Sequence, residues 1–277
     1  MALASALVHL YPPKHHPRAL RLLDEVLKFD PDNVDALIGR GYVLQHSRKW
    51  EEAEGLFTKA TSLIPPGTPK SVRVKEESAW CLSKIQIEKG VQALKDVLND
   101  LQGDEHDMDR ARCLWRVGKC CWEMGGWSTL SVYSRFFLIS NAVGFREEAF
   151  SYFINSLKCD RTYAPAYTSL GIYYSEFVDP PDPTRASKCF QKAFELDPRE
   201  ADAAKRLAEG FADEREWDLV EVVARRTIDG EGGLDAGIQG AAVGRYLPTN
   251  AWAWKAVGVV ELVSQTQDYI LHRLNGI

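Results

Sequence analysis

No apolar run in this chain approaches the roughly 18 residues that a membrane-spanning helix needs, so the sequence gives no sign of a membrane span. There is no excess of positive charge either. Lys and Arg number 34 against 39 Asp and Glu, giving a formal net charge of −5 and a pI near 5.8. That balance argues against a surface dominated by phosphate binding. The adjacent Arg225 and Arg226 form the most obvious basic pair, and they sit near a helix end, where cations offset the macrodipole. The six cysteines (Cys81, Cys113, Cys120, Cys121, Cys159 and Cys189) show no C-x-x-C spacing. The opening MALASALVHL lacks a basic segment and a cleavage site, and reads as a helix rather than a secretory leader. Reduced thiols acting as small hydrophobes on helices point to a cytoplasmic location.

Catalytic patterns are missing as well. The chain contains no serine elbow, phosphate loop or zinc spacing. His15 and His16 are expected in a solvated turn, since no further ligands lie at metal-binding spacing. Glu51 with Glu52, and Glu147 with Glu148, open helices where carboxylates favour the dipole, and they do not make a general acid–base pair. Trp217-Asp218 matches a β-propeller dipeptide but begins a helix in this frame. No catalytic, cofactor-binding or metal site is expected, and the chain is read as a non-enzyme.

What the chain does have is a period. Ala19 to Ala53 spans 34 residues, and so does Ala186 to Val220. A fixed period of this length marks a helix–turn–helix repeat. The clearest unit is NVDALIGRGYVLQHSRKWEEAEGLFTKATSLIPP, from Asn33 to Pro66. Leu37, Gly41 and Leu44 share one face of its first helix. Ser47, Arg48 and Lys49 form the turn. Trp50, Ala53, Phe57 and Ala60 share one face of the second helix, and Pro65 stops it. Gly41 and Ala53 are small where helices cross; Trp50 and Phe57 are large where gaps need filling. A hairpin this short cannot bury such a face without neighbours. The pattern returns between Ala164 and Pro198, with Tyr167, Leu170, Gly171 and Tyr174, then Ala186, Phe190 and Ala193. The proline-rich turn from Asp179 to Pro183 is longer here. These small, aromatic and proline positions resemble the tetratricopeptide repeat. That resemblance implies an all-α, right-handed superhelical solenoid.

Weaker copies fill the rest. Met1–Leu10 pairs with a helix carrying His16, Ala19, Leu23 and Val26. Ser71–Ile87 pairs with Gly90–Leu101, with Trp80 and Ala93 in the equivalent places. Arg110–Met124, carrying Leu114 and Gly118, pairs with Arg146–Lys158, carrying Ala149 and Phe153. Ala201–Ala212 pairs with Trp217–Thr227, and Ala251–Ser264 is a lone first helix with Trp254 and Gly258. The expected organisation is an array over 1–228, a glycine-rich loop over 229–250 and the start of a further, truncated repeat over 251–277. Gln265 to Ile277 departs from the pattern. Within the array, Trp127 to Phe145 (WSTLSVYSRFFLISNAVGF) lacks the repeat pattern. Two readings stand: a partner-binding loop, or a translated intron or gene-model error, since its removal joins MGG to REEAF and restores a hairpin.

First helices of such repeats line a concave face, and its exposed positions are expected to include Asp35, Ile38, Tyr42, Thr168 and Ile172. This apolar, aromatic and acidic mixture suits an extended peptide or a helix of another protein. The two clear repeats contain no Lys/Arg/Asn clamp for a terminal carboxylate, as a chaperone-docking adaptor would have. Outside the generic repeat positions, EWDLVEVVARR (Glu216 to Arg226) and WAWKAVGVVEL (Trp252 to Leu262), with APAYTSLGIYY and RASKCFQKAFELDP, resemble the tetratricopeptide scaffold subunit of the fungal superkiller complex. That family's subunit is much longer. The resemblance implies a cytoplasmic scaffold joining an RNA helicase to β-propeller subunits and feeding mRNA to the exosome for 3′-to-5′ decay. It implies no catalytic residue and no direct nucleic-acid or membrane site. The alternative is a general tetratricopeptide adaptor for peptides or chaperones.

Overall fold

A computed structural model describes residues 1–101, 107–127, 135–230 and 250–274, and side chains within 1–101, 107–125, 144–230 and 250–265. Among the described residues the protein is all helix, with thirteen α-helices and no strand. They divide into two compact units, residues 1–169 and 170–277. The first unit holds α1 (Ala2–His9), α2 (His16–Phe29), α3 (Val34–His46), α4 (Trp50–Leu63), α5 (Pro69–Ile85), α6 (Ile87–Asp100), α7 (Asp107–Trp127) and α8 (Arg135–Cys159). The boundary falls within α9 (Ala164–Glu176). The second unit continues with α10 (Pro183–Leu196), α11 (Ala201–Asp213), α12 (Trp217–Gly230) and α13 (Ala251–Leu274). From α1 to α8, and again from α10 to α13, each helix packs on the next, the arrangement of tetratricopeptide hairpins.

Local chemistry explains the helix ends. Asn33, Thr68 and Asp182 cap α3, α5 and α10 by accepting hydrogen bonds from the amides of Ala36, Ser71 and Arg185. Pro69 and Pro183 occupy first-turn positions, where a missing N–H costs nothing. The turns after α3 and α11 are built alike. Arg48 and Arg215 adopt φ of 58° and 61°. The next amide, from Lys49 or Glu216, reaches back to the carbonyl of Leu44 or Phe211 at 3.0 or 2.8 Å.

A ring laid on a glycine sets the spacing inside the hairpins. A Cβ added to Gly41 would lie 2.8 Å from the Phe57 ring, and one on Gly118 would lie 2.7 Å from Phe153. Gly171 meets Phe190 more closely still. The expected core holds: Leu37, Ala53, Phe57, Ala60, Ala149, Phe153, Ala186, Phe190 and Ala193 are all buried. In the third hairpin the seat is inverted. Gly90 on α6 presses against the backbone of Ser83 on α5, so Gly90 takes the close-contact place expected of Ala93, which is only half-buried. The single residue between α5 and α6, Gln86, forces this approach.

Several expectations change. His16 is not in a solvated turn: it begins α2, the helix on which the repeat pattern also placed it, is 4% exposed, and its Nε2 donates to the Val8 carbonyl at 3.0 Å. Burial pushes its pKa down to about 4. Its Nδ1 is buried with no hydrogen-bond partner among the described residues, and the His46 ring stands 5.0 Å away. Charging His16 would therefore bury a second, unsatisfied donor. α8 starts at Arg135, well before Arg146, so Arg135 to Phe145 is helical rather than a loop; residues 128–134 of the irregular segment lie outside the described residues. The glycine-rich loop falls almost wholly on 231–249, also outside them. α13 runs through Gln265 to Leu274, a stretch with no proline or glycine to stop it. No helix among the described residues is long and apolar enough to cross a membrane.

Gly90→Ala is expected to cost about 1–3 kcal/mol through overpacking against backbone. Gly55→Ala, on α4 with open space around it, should gain about 0.5–1 kcal/mol from helix propensity. Urea titrations of the two variants check the pair. A histidine whose pKa is lowered on folding contributes stability that is present above its unfolded value, near 6.5, and lost as pH falls through about 4. The urea midpoint of the native chain should accordingly drop between these pH values more steeply than that of His16→Gln.

Candidate protein-interaction site

On α5, Val74, Glu77 and Cys81 share one face, and all three are buried. Cys113, Arg116 and Cys120 repeat that spacing on α7. A carboxylate and a guanidinium thus stand on apolar stripes of first helices in neighbouring hairpins, facing each other. Arg116 Nη2 binds both Glu77 oxygens at 3.0 and 2.9 Å, and its Nη1 lies 3.1 Å from Glu76 Oε1. Arg112 grips Glu76 from the same helix, with Nε at 3.0 Å and Nη2 at 2.6 Å. Arg73, one turn earlier on α5, closes on Glu77 at 2.8 Å and donates to the Tyr42 hydroxyl of α3 at 3.3 Å. Gln45 of α3 donates to Glu77 at 3.0 Å.

Three helices are tied together by this network. Both glutamates are 1% exposed. Burial works to raise the Glu77 carboxyl, but Arg116 and Arg73 overcome it and hold the pKa below the ordinary value. Burial pushes Glu76 up to about 7, against the pull of Arg116. Arg116 stays charged: burial disfavours the cation, but Glu77 and Glu76 more than compensate. Such a cluster contributes register more than net stability, because desolvation offsets most of the Coulomb gain.

Next to the cluster runs a line of half-buried aromatics. Trp80 of α5 and Trp115 of α7 lie 6.0 Å apart between ring centroids, and Trp115 meets Tyr163 edge-on at 5.9 Å. Trp115 Nε1 donates to the Ser169 hydroxyl at 2.9 Å. Lys84 Nζ sits 4.1 Å above Trp80 and is paired with Glu123. Rigid aromatic surface fixed by cations and hydrogen bonds is the commonest anchor of protein interfaces.

Of the five positions expected on the concave face, Asp35, Ile38 and Tyr42 come together, lining a cleft of about 180 Å³ with Ser5 and His9 of α1 and Lys70 and Arg73 of α5. Both cations there are engaged, Lys70 with Asp35 and Arg73 with the two glutamates. Thr168 is 5% exposed, because its helix turns that face inward, so it is not a surface position. Ile172, in the other unit, is half-buried. Arg225 pairs with Glu221 and Arg226 lies over the Phe194 ring. Among the described residues no group of His, Cys, Asp and Glu is arranged to hold a metal. The six thiols are free, and burial raises the pKa of every one, which lowers the fraction present as thiolate.

Sequence reasoning missed Glu76, Glu77, Arg112 and Arg116, because charged residues on a helix read as solvated. The signal was present: Glu77 and Arg116 fall in step with apolar residues three before and four after.

No family model matches the chain. Two curated proteins do. Over 230 residues, 83% of this chain, it is 34% identical to Superkiller protein 3 of Schizosaccharomyces pombe. Over 274 residues, 96% of this chain, it is 28% identical to Superkiller protein 3 of Saccharomyces cerevisiae. The chain spans only 15% and 17% of the length of these relatives. Among solved structures, MamA is 19% identical, covering 66% of this chain and 89% of that one at a TM-score of 0.40. YrrB, a TPR protein with an unusual peptide-binding site, is 20% identical, covering 69% and 82% at a TM-score of 0.38. Scores this low add nothing to what the helices show by themselves. The chain is a tetratricopeptide-repeat protein that resembles Superkiller protein 3.

Removing one partner from the buried cluster should be severe. Arg116→Met leaves Glu77 without its main counter-charge and is expected to cost about 3–5 kcal/mol, whereas the double variant Glu77→Leu, Arg116→Met should recover most of that loss. Chemical denaturation of the native chain, the two single variants and the pair checks the cycle.

Proposed function

We propose that this chain is a non-catalytic protein-interaction scaffold of the superkiller type, supporting cytoplasmic 3′-to-5′ mRNA decay with the exosome. Its partners in this reading are an RNA helicase and a β-propeller subunit. One observation carries the proposal: similarity to Superkiller protein 3 extends over 83–96% of the chain. The likeness therefore goes beyond one or two generic hairpins. The structure supports an architectural role in a second way. α3, α5 and α7 present Tyr42, Trp80 and Trp115 from a frame held in register by buried charge, which suits burial against a broad protein surface. Direct RNA binding has less support. Of the cations near these rings, Lys84 is paired with Glu123, and Arg73 and Arg116 with the two buried glutamates.

Affinity purification of the tagged chain from its source cell, with identification of the proteins that accompany it, tests this. A helicase and a β-propeller protein are the expected companions. Recovery of chaperones in their place would favour the general adaptor. Trp80→Ala with Trp115→Ala should lower recovery of the companions about tenfold or more, the loss expected of central aromatic anchors.

A further inference from the structure

A further cleft lies away from the aromatic line, on the side of the first unit where second helices run. Between α4 and α6, with α5 as its floor, is an open cleft of about 430 Å³. On α5 it is lined by Lys75, Ser78, Ala79 and Leu82, and on α6 by Ala93, Asp96, Val97 and Asp100. In each helix these residues follow the i, i+3, i+4, i+7 pattern, so the cleft runs for about two turns, ~10 Å.

The cleft is less polar than its residue names suggest. On the α4 wall the hydroxyls are already committed. Thr58 donates to Glu54 at 2.7 Å, Thr61 to the Phe57 carbonyl at 2.9 Å and Ser62 to the Lys59 carbonyl at 2.7 Å. Ser78 donates to Glu54 as well, at 3.3 Å. With these donors used, the wall offers methyl and methylene surface, continuous with Ala79, Leu82 and Val97 below. The rim is acidic. Lys75 meets Asp100 at 3.4 Å, leaving Asp96, whose carboxylate accepts from Gln92 at 3.0 Å and meets no cation among the described residues, as surplus negative charge. A carboxylate offers about four acceptor sites, so Asp96 can still take a cation's hydrogen bonds.

We propose that this cleft docks a basic amphipathic helix of a partner protein. Two aliphatic side chains, three or four residues apart, enter between α4 and α6, and an adjacent Arg or Lys reaches Asp96. The two-turn length fits that spacing, the methyl-lined walls fit the anchors, and the net acidity of the rim selects the cation. The surface is separate from the one behind the proposed function, so either can fail without the other.

The test uses the full chain and a synthetic helical peptide carrying leucines four residues apart with arginines beside them, measured by fluorescence anisotropy. Binding is expected, weakened about tenfold or more when the leucines become alanines. It should weaken similarly when the arginines become glutamates or when the protein carries Asp96→Lys. Ala93→Met, which fills the cleft from a half-buried position, should also abolish binding while circular dichroism stays unchanged. Binding that ignores Asp96→Lys and Ala93→Met, no binding at all, or equal affinity for the leucine-free peptide would each overturn the proposal.

Discussion

The distance between two helices is fixed by what lies between them, and in three hairpins of this protein that is a phenylalanine ring on a bare glycine. Phe57, Phe153 and Phe190 are nearly excluded from water. The absence of a Cβ lets each ring approach the opposite backbone. Everything else follows from that spacing. Once hairpins have a fixed thickness, neighbouring first helices come within reach of one another's side chains, and charge on one can be answered from the next. The tight α5–α6 hairpin shows the same rule with the partners exchanged, Gly90 giving way to the Ser83 backbone.

That regularity is why so much of the fold could be read from the chain. Small and aromatic residues at Gly41, Ala53 and Phe57 have one physical use at those positions, and Gly171, Ala186 and Phe190 repeat it. Pro65 marked the end of α4. What could not be read is equally specific. Glu76, Glu77 and Arg116 look solvated until the neighbouring helix is known, because a buried charge is intelligible only with its partner. His16 looks solvated until Val8 supplies its acceptor. The inverted seat at Gly90 depends on a linker one residue long, and the even helix pattern of α5 and α6 gives no hint of it. Thr168 has the spacing of a surface position, but the packing around its helix buries it.

Charge and aromatics divide the work in the candidate site. Buried ion pairs add little net stability, yet they punish misalignment, since a shift of one helical turn would leave Glu77 without Arg116. The aromatic line beside them gains from that rigidity. Trp80 and Trp115 are held in place before any partner arrives, so less side-chain freedom is lost on binding. Such a division suits a scaffold: one set of residues fixes the frame, and another is left to present a surface.

Thiols at Cys81, Cys113, Cys120 and Cys121 are shut inside the first unit, on α5 and α7, and none touches a disulfide partner. An alkylating reagent can reach them only when the helices around them come apart. Their modification rates, followed by mass spectrometry, therefore form a native clock for breathing of each hairpin. The protein carries that reporter without any added label.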